Sequence, residues 1–128
     1  MGKTSILIID DNPSFREIFS TKLEAAGFSV ASADDGESGI QKAMEIVPDL
    51  VLLDIEMPGM TGIQVISKMK ADPRLERIKI VFLTNHGEVG ENDAWLDKKF
   101  AGEIGAIGYI KKTDDLDKIV KEIKTILE

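Results

Sequence analysis

The sequence predicts an α/β domain in which one parallel five-stranded sheet, in the order 2-1-3-4-5, carries helices on both faces. Three observations predict it. Strand-like and helix-like segments alternate five times along 128 residues, with no low-complexity linker and no internal repeat. The principal strand-like segments are nearly continuous in Val, Ile and Leu, as strands buried on both faces must be. A βαβ alternation of this length also requires right-handed crossovers, which put helices on both sides of the sheet. Residues 1–128 suit a single domain, long enough to bury a core without disulfides.

The elements follow in order. Ser5-Ile6-Leu7-Ile8-Ile9 is the first strand and runs into Asp10-Asp11. Asn12-Pro13 opens the first helix, with Asn as N-cap and Pro in the first turn, where its missing N–H costs nothing. Phe15, Ile18, Phe19, Leu23 and Ala26 form its apolar stripe, and Ala26-Gly27 stops it. A short second strand is expected at Phe28 to Ala33, then a helix with Ile40, Ala43, Met44 and Val47 on one side. Leu50-Val51-Leu52-Leu53 runs into Asp54 as the third strand. Thr61-Gly62-Ile63-Gln64 reads as a capping box opening a helix whose underside carries Ile63, Ile66 and Met69. Lys79-Ile80-Val81-Phe82-Leu83 ends at Thr84 as the fourth strand. Residues 91–106 are expected to be helical, and a fifth strand lies near Ile107 to Lys111. Leu116, Ile119, Val120, Ile123 and Leu127 mark the last helix, whose first turn would hold Asp114 and Asp115.

The polar residues that end these strands carry the functional signal. In an open parallel sheet the carboxyl ends of the strands share one rim, where such folds bind ligands. Asp10, Asp11, Asp54, Thr84 and the Lys111-Lys112 pair would all reach that rim. Carboxylates about 5 Å apart repel by about 3 kcal/mol per pair at an effective dielectric near 20. Such a cluster protonates, pairs with a cation or binds metal. Oxygen ligands without sulfur or imidazole favour Mg²⁺, with Mn²⁺ also suitable, and such ions readily share a phosphate. Any one of these acids alone is more simply a solvated strand end or a helix cap; the full set is not.

Composition excludes other chemistry. With no cysteine there is no disulfide, thiolate nucleophile or thiolate metal site, and a cytoplasmic location is permitted. His86 is the only histidine, which excludes a multi-histidine metal centre. A net charge of −7 argues against direct nucleic-acid binding. The amino-terminal apolar run is too short for a signal peptide or a membrane span.

Nearly the whole chain resembles a response-regulator receiver domain, whose fold is the flavodoxin-like order given above. The resemblance rests on Asp10-Asp11, on Asp54-Ile55-Glu56-Met57-Pro58-Gly59-Met60-Thr61-Gly62, on Leu83-Thr84, and on Gly105-Ala106-Ile107-Gly108-Tyr109-Ile110-Lys111-Lys112. It implies that Asp54 accepts a phosphoryl group from a histidine kinase or phosphotransfer protein. It also implies that Asp11 ligates Mg²⁺ directly, Asp10 through water, and Glu56 through its backbone carbonyl. Lys112 rather than Lys111 fits the family's Tyr-x-x-Lys spacing and, with Thr84, would hold phosphoryl oxygens. Alternation along a strand lets only one of the two lysines reach the site. Thr84 and Tyr109 would form the switch that reshapes a face for a downstream protein or a homodimer, although Tyr109 also reads as an ordinary edge-strand residue.

The chain departs from the family pattern at several places. Thr113 stands where a proline usually follows the site lysine, and would instead cap the last helix. Asn85 replaces a smaller residue, and Glu56, Asn85 and His86 are expected to tune phosphoryl lifetime, His86 otherwise being an exposed loop residue. Residues 85–93 read as a longer loop, leading to Trp95 and Phe100, which serve either a partner or the core. Other classes remain: an aspartyl-phosphate phosphohydrolase, suggested by the Asp-x-acid run at Asp54, and an inert domain of the same fold. The receiver is either stand-alone or part of a longer protein.

Overall fold

The structure, a computed structural model, describes residues 3–84 and 105–128. Five strands and four helices occur among those residues: β1 (Ser5–Ile9), α1 (Pro13–Ala25), β2 (Ser29–Ala33), α2 (Gly36–Ile46), β3 (Leu50–Asp54), α3 (Gly62–Ala71), β4 (Lys79–Thr84), β5 (Gly108–Lys111) and α4 (Leu116–Leu127). The expected helix at residues 91–106 falls almost wholly outside the described residues, as do Trp95 and Phe100.

All strands pair in parallel in the order β2-β1-β3-β4-β5. This flavodoxin-like arrangement is the one the apolar runs predict. The register places Ile9 beside Leu53, and Asp54 beside Leu83, so the strands end nearly level. Side-chain alternation divides the interior in two. Leu7, Ile9, Val51, Leu53, Ile80 and Phe82 face α2 and α3 with Ala43, Val65, Ile66 and Met69. Ile6, Ile8, Leu50, Leu52, Val81 and Leu83 face α1 and α4 with Phe19, Leu23, Ile119, Val120 and Ile123.

Local chemistry sets the boundaries. Asn12 caps α1 by accepting the Phe15 N–H at 3.1 Å, with Pro13 in the first turn. Gly27, at φ 102°, turns the chain out of α1; β2 begins at Ser29, one residue later than expected. The capping box at α3 is present: Thr61 accepts from the Gln64 N–H and donates its own N–H to Gln64 Oε1 at 2.9 Å. At α4 the cap is Asp115, not Thr113, because the Asp115 carboxylate reaches the Asp117 N–H at 2.9 Å. Asp114 therefore lies before the helix, and Asp117 is the first-turn acid.

Two apolar stripes differ from expectation. In α1, Ile18 is 56% exposed. It lies about 100° around the helix from the middle of the arc holding Phe15, Phe19, Leu23 and Ala26. In α2, Met44 and Val47 are exposed; Val47 is already past the helix, in the left-handed conformation at φ 42°. The buried face of α2 consists of Gly36, Gly39 and Ala43. A Cβ on Gly39 would come within 2.6 Å of Ile9 Cδ1, so the glycine brings this helix close against β1.

Candidate functional site

Asp10 follows β1 and Asp54 ends β3, adjacent strands of the sheet. Both are buried, at 0% and 2% exposure, while Asp11 beside them is exposed. One carboxylate oxygen from each of Asp10, Asp11 and Asp54 lies within 4.8 Å of the others. The three expected ligands are thus gathered at the carboxyl rim.

Backbone groups orient them. Asp10 Oδ1 accepts the Asn12 N–H at 2.8 Å, and the Asp10 carbonyl accepts from Arg16 Nη1 at 2.7 Å. Asp54 Oδ1 accepts the Glu56 N–H at 3.2 Å. Behind Asp54 stands Gly62, the first residue of α3, whose N–H bonds the Ile55 carbonyl at 2.9 Å. A Cβ there would lie 2.5 Å from the Asp54 carbonyl oxygen, so only glycine lets α3 start this close to the strand end. Arg16 and Gly62 are supports that the sequence reading did not single out as such. The Gly62 signal was present only as a capping-box position and as the end of the family-like stretch from Asp54.

Lys112 comes from the turn after β5. Its ammonium forms an ion pair with Asp10 Oδ2 and lies 3.4 Å from Asp54 Oδ2, with the side chain 6% exposed. Its backbone N–H donates to the Thr84 carbonyl at 2.8 Å, tying the turn to the end of β4. Lys111 sits in β5 opposite Thr84 and makes no such ion pair. No cis peptide occurs among the described residues, so the Lys112-Thr113 bond is trans.

The electrostatics are unbalanced. Burial pushes the Asp54 carboxyl up to about 7, and the neighbouring Asp10 adds to this; Lys112 and the Glu56 N–H oppose it. Asp10 Oδ2 is buried and accepts no hydrogen bond, its contact being the ion pair. The two buried acids share one ammonium, and a third acid stands beside them at the surface. The three hard oxygen donors, with two buried acids to one ammonium, fit a divalent cation of the Mg²⁺ type, which would lower the Asp54 value and complete the charge balance.

Thr84 is buried at the end of β4. Tyr109 is half-buried in the edge strand β5, opposite Phe82, and packs on the α2/α3 side of the core. Glu56 is exposed two residues after Asp54. Asn85 and His86, with the rest of residues 85–93, where a longer loop is expected, lie outside the described residues.

Residues 6–124 match the family described as the response regulator receiver domain. The chain is 32% identical over 122 residues to the DNA-binding dual master transcriptional regulator RpaA of Synechocystis, covering 95% of this chain and 48% of that protein. It is 35% identical over 128 residues to the phosphate regulon transcriptional regulatory protein PhoB of Pseudomonas aeruginosa, covering 99% and 52%. The chain thus spans about half the length of these curated relatives. Protein PilH of P. aeruginosa is 32% identical over 95% of this chain and 96% of its own length. Among solved structures, a chemotaxis protein CheY4 of Vibrio cholerae superposes with a TM-score of 0.85 at 26% identity, covering 98% of this chain and 99% of that one.

Proposed function

This chain belongs to the response regulator receiver family, and from that premise we propose that Asp54 is its phosphoacceptor, taking a phosphoryl group from the phosphohistidine of a kinase or phosphotransfer protein. The observation that carries the reading is the rim itself: three gathered acids, two of them buried and paired with one buried ammonium.

Asp54 attacks as a carboxylate. An Asp54 oxygen bonds to phosphorus as the phosphorus–nitrogen bond of the donor breaks, and the electron pair returns to the imidazole. The transition state is loose, with charge spread over the phosphoryl oxygens. Lys112 and the Thr84 hydroxyl meet that charge, Lys112 being already placed beside Asp54. Asp11, Asp10, Asp54 and the Glu56 carbonyl would hold Mg²⁺ or Mn²⁺. When bound, such an ion neutralises the acids and the phosphoryl oxygens.

The chain is a signalling acceptor that promotes its own phosphorylation and dephosphorylation, not an enzyme that turns over a separate substrate. The phosphoryl group adds about −1.5 to −2 charge next to Thr84, enough to bias a two-state element. Thr84 and Tyr109 couple that change to a face recognised by a downstream protein or a second copy. Glu56, Asn85 and His86 set how fast water removes the phosphoryl group. No helix among the described residues is long and apolar enough to cross a membrane, and we place the protein in the cytoplasm, without direct nucleic-acid contact from this domain.

Incubation with Mg²⁺ and acetyl phosphate, followed by intact mass, tests the proposal. One phosphoryl per chain is expected for wild type and none for Asp54→Ala. Multiple turnovers of a small phosphate ester without a stable adduct would instead indicate a phosphohydrolase.

A further inference from the structure

We infer that Phe15 is a positioning residue for phosphoryl transfer, its ring holding the Lys112 ammonium where the phosphoryl oxygens arrive. This rests on the phosphoacceptor reading above. Lys112 Nζ lies 4.8 Å from the centroid of the Phe15 ring, inside the ~6 Å reach of a cation–π attraction. With the lysine side chain only 6% exposed, water screens that attraction little.

The ring is fixed from two directions. The Phe15 N–H bonds the Asn12 cap at 3.1 Å. The ring itself stacks on that of Phe19 with centroids 5.0 Å apart and planes at 18°, and Phe19 is fully buried. One short stretch, residues 10–19, therefore supplies two of the acids that gather at the rim and the surface against which the ammonium rests.

A lysine needs such a support here. Its stem is long and flexible, and about 2 kcal/mol of rotamer freedom opposes holding it in one place. The turn after Lys112, Thr113 and Asp114, contains no proline to stiffen the backbone. The carboxylates alone favour Asp10, which the ammonium approaches more closely than Asp54. A hydrogen-bond acceptor on the far side would occupy the N–H donors that the phosphoryl group requires. An aromatic face attracts the charge and leaves those donors available. During transfer, an Asp54 oxygen bonds to phosphorus and the bond to the donor's leaving group breaks, its electron pair departing with that group. Lys112 stays protonated throughout.

Fluorination of the ring gives the test, because it drains negative charge from the face while keeping the shape. Wild type, Phe15→Tyr, Phe15→Leu and proteins carrying mono-, tri- or pentafluorophenylalanine at position 15 are compared in the full chain with Mg²⁺ and acetyl phosphate, following Asp54 phosphorylation by intact mass. The rate is expected to fall stepwise with fluorination, to about fivefold to tenfold below wild type for the pentafluoro ring and similarly for Phe15→Leu, with Phe15→Tyr within about twofold of wild type. Rates indifferent to fluorination, in a wild type that is phosphorylated on Asp54, overturn the inference alone. A wild type that takes no phosphoryl group overturns the functional reading, and the inference with it.

Discussion

At the amino end of the sheet, Asp49 accepts the Ser5 N–H at 2.8 Å, and Lys79 donates to the Ile126 carbonyl at 3.0 Å. Lys70 donates to the carbonyls of Glu76 and Ile78 at 2.8 and 3.0 Å, and burial holds its ammonium below the usual lysine value. At the carboxyl end, Asp10, Asp54 and Lys112 are buried together, two acids to one cation. Charges at the first end are spent on backbone groups that would otherwise lack partners, which serves stability. Charges at the second end remain incompletely matched, two acids to one ammonium, which suits that end to a cation. One sheet thus separates what holds it together from what it does.

The sharpest way to break this contrast is to remove the shared cation. Lys112→Ala should slow phosphorylation by acetyl phosphate about a hundredfold, the scale on which a single transition-state charge partner is lost. A rate within twofold of wild type would show that the ammonium is structural.

Gly62→Ala attacks the same end from the backbone. Its Cβ would collide with the Asp54 carbonyl, so a loss of about 2 kcal/mol in urea unfolding is expected, together with slower phosphorylation. Normal stability would mean that α3 can retreat without cost.

The pH dependence of stability sharpens the comparison further. Asp54 has a folded-state value of about 7 against an ordinary 3.8. Between those values the folded chain keeps a proton that the unfolded chain has lost, so stability falls as pH rises through that range and stays reduced above it. Without divalent cation, Asp54→Asn should therefore exceed wild type by about 1–2 kcal/mol at pH 8, with the advantage disappearing near pH 4. Adding Mg²⁺ should narrow the gap. A difference that does not vary with pH would contradict the assignment of unbalanced charge to this rim.

The smallest effect belongs to the opposite end. Asp49→Ala removes one exposed cap-like hydrogen bond and should cost about 0.5–1 kcal/mol while leaving the phosphorylation rate unchanged.

Much of this was legible in the sequence, for physical reasons that also explain the failures. Strands buried on both faces show themselves as unbroken apolar runs, and their ends as the first polar residue, which located Asp10, Asp54 and Thr84. Lys112 was separable from Lys111 by the family spacing; strand alternation does not apply, because β5 ends at Lys111 and Lys112 lies in the turn beyond it. Helix faces were harder to read. α2 packs through Gly36, Gly39 and Ala43, residues that contribute little to a hydrophobic stripe, so Met44 and Val47 attracted attention that belonged to the glycines. Ile18 fell to the same error, being near the stripe in spacing but off its centre in angle. Asp115 took the cap expected of Thr113 because its carboxylate is one residue pair away from a free N–H, a matter of backbone geometry rather than residue type. Phe15 looked like any core aromatic, and nothing in its spacing announced the ammonium above it.

The central claim is that phosphoryl chemistry at this rim ends on Asp54. Trapping the acyl phosphate with labelled borohydride converts the modified aspartate to labelled homoserine, and peptide sequencing then locates it. The label is expected at position 54 alone, and only when Mg²⁺ or Mn²⁺ was present during phosphorylation. Label at Asp10 or Asp11, or a phosphoryl group that resists reduction because it sits on a hydroxyl such as Thr84, would contradict the account.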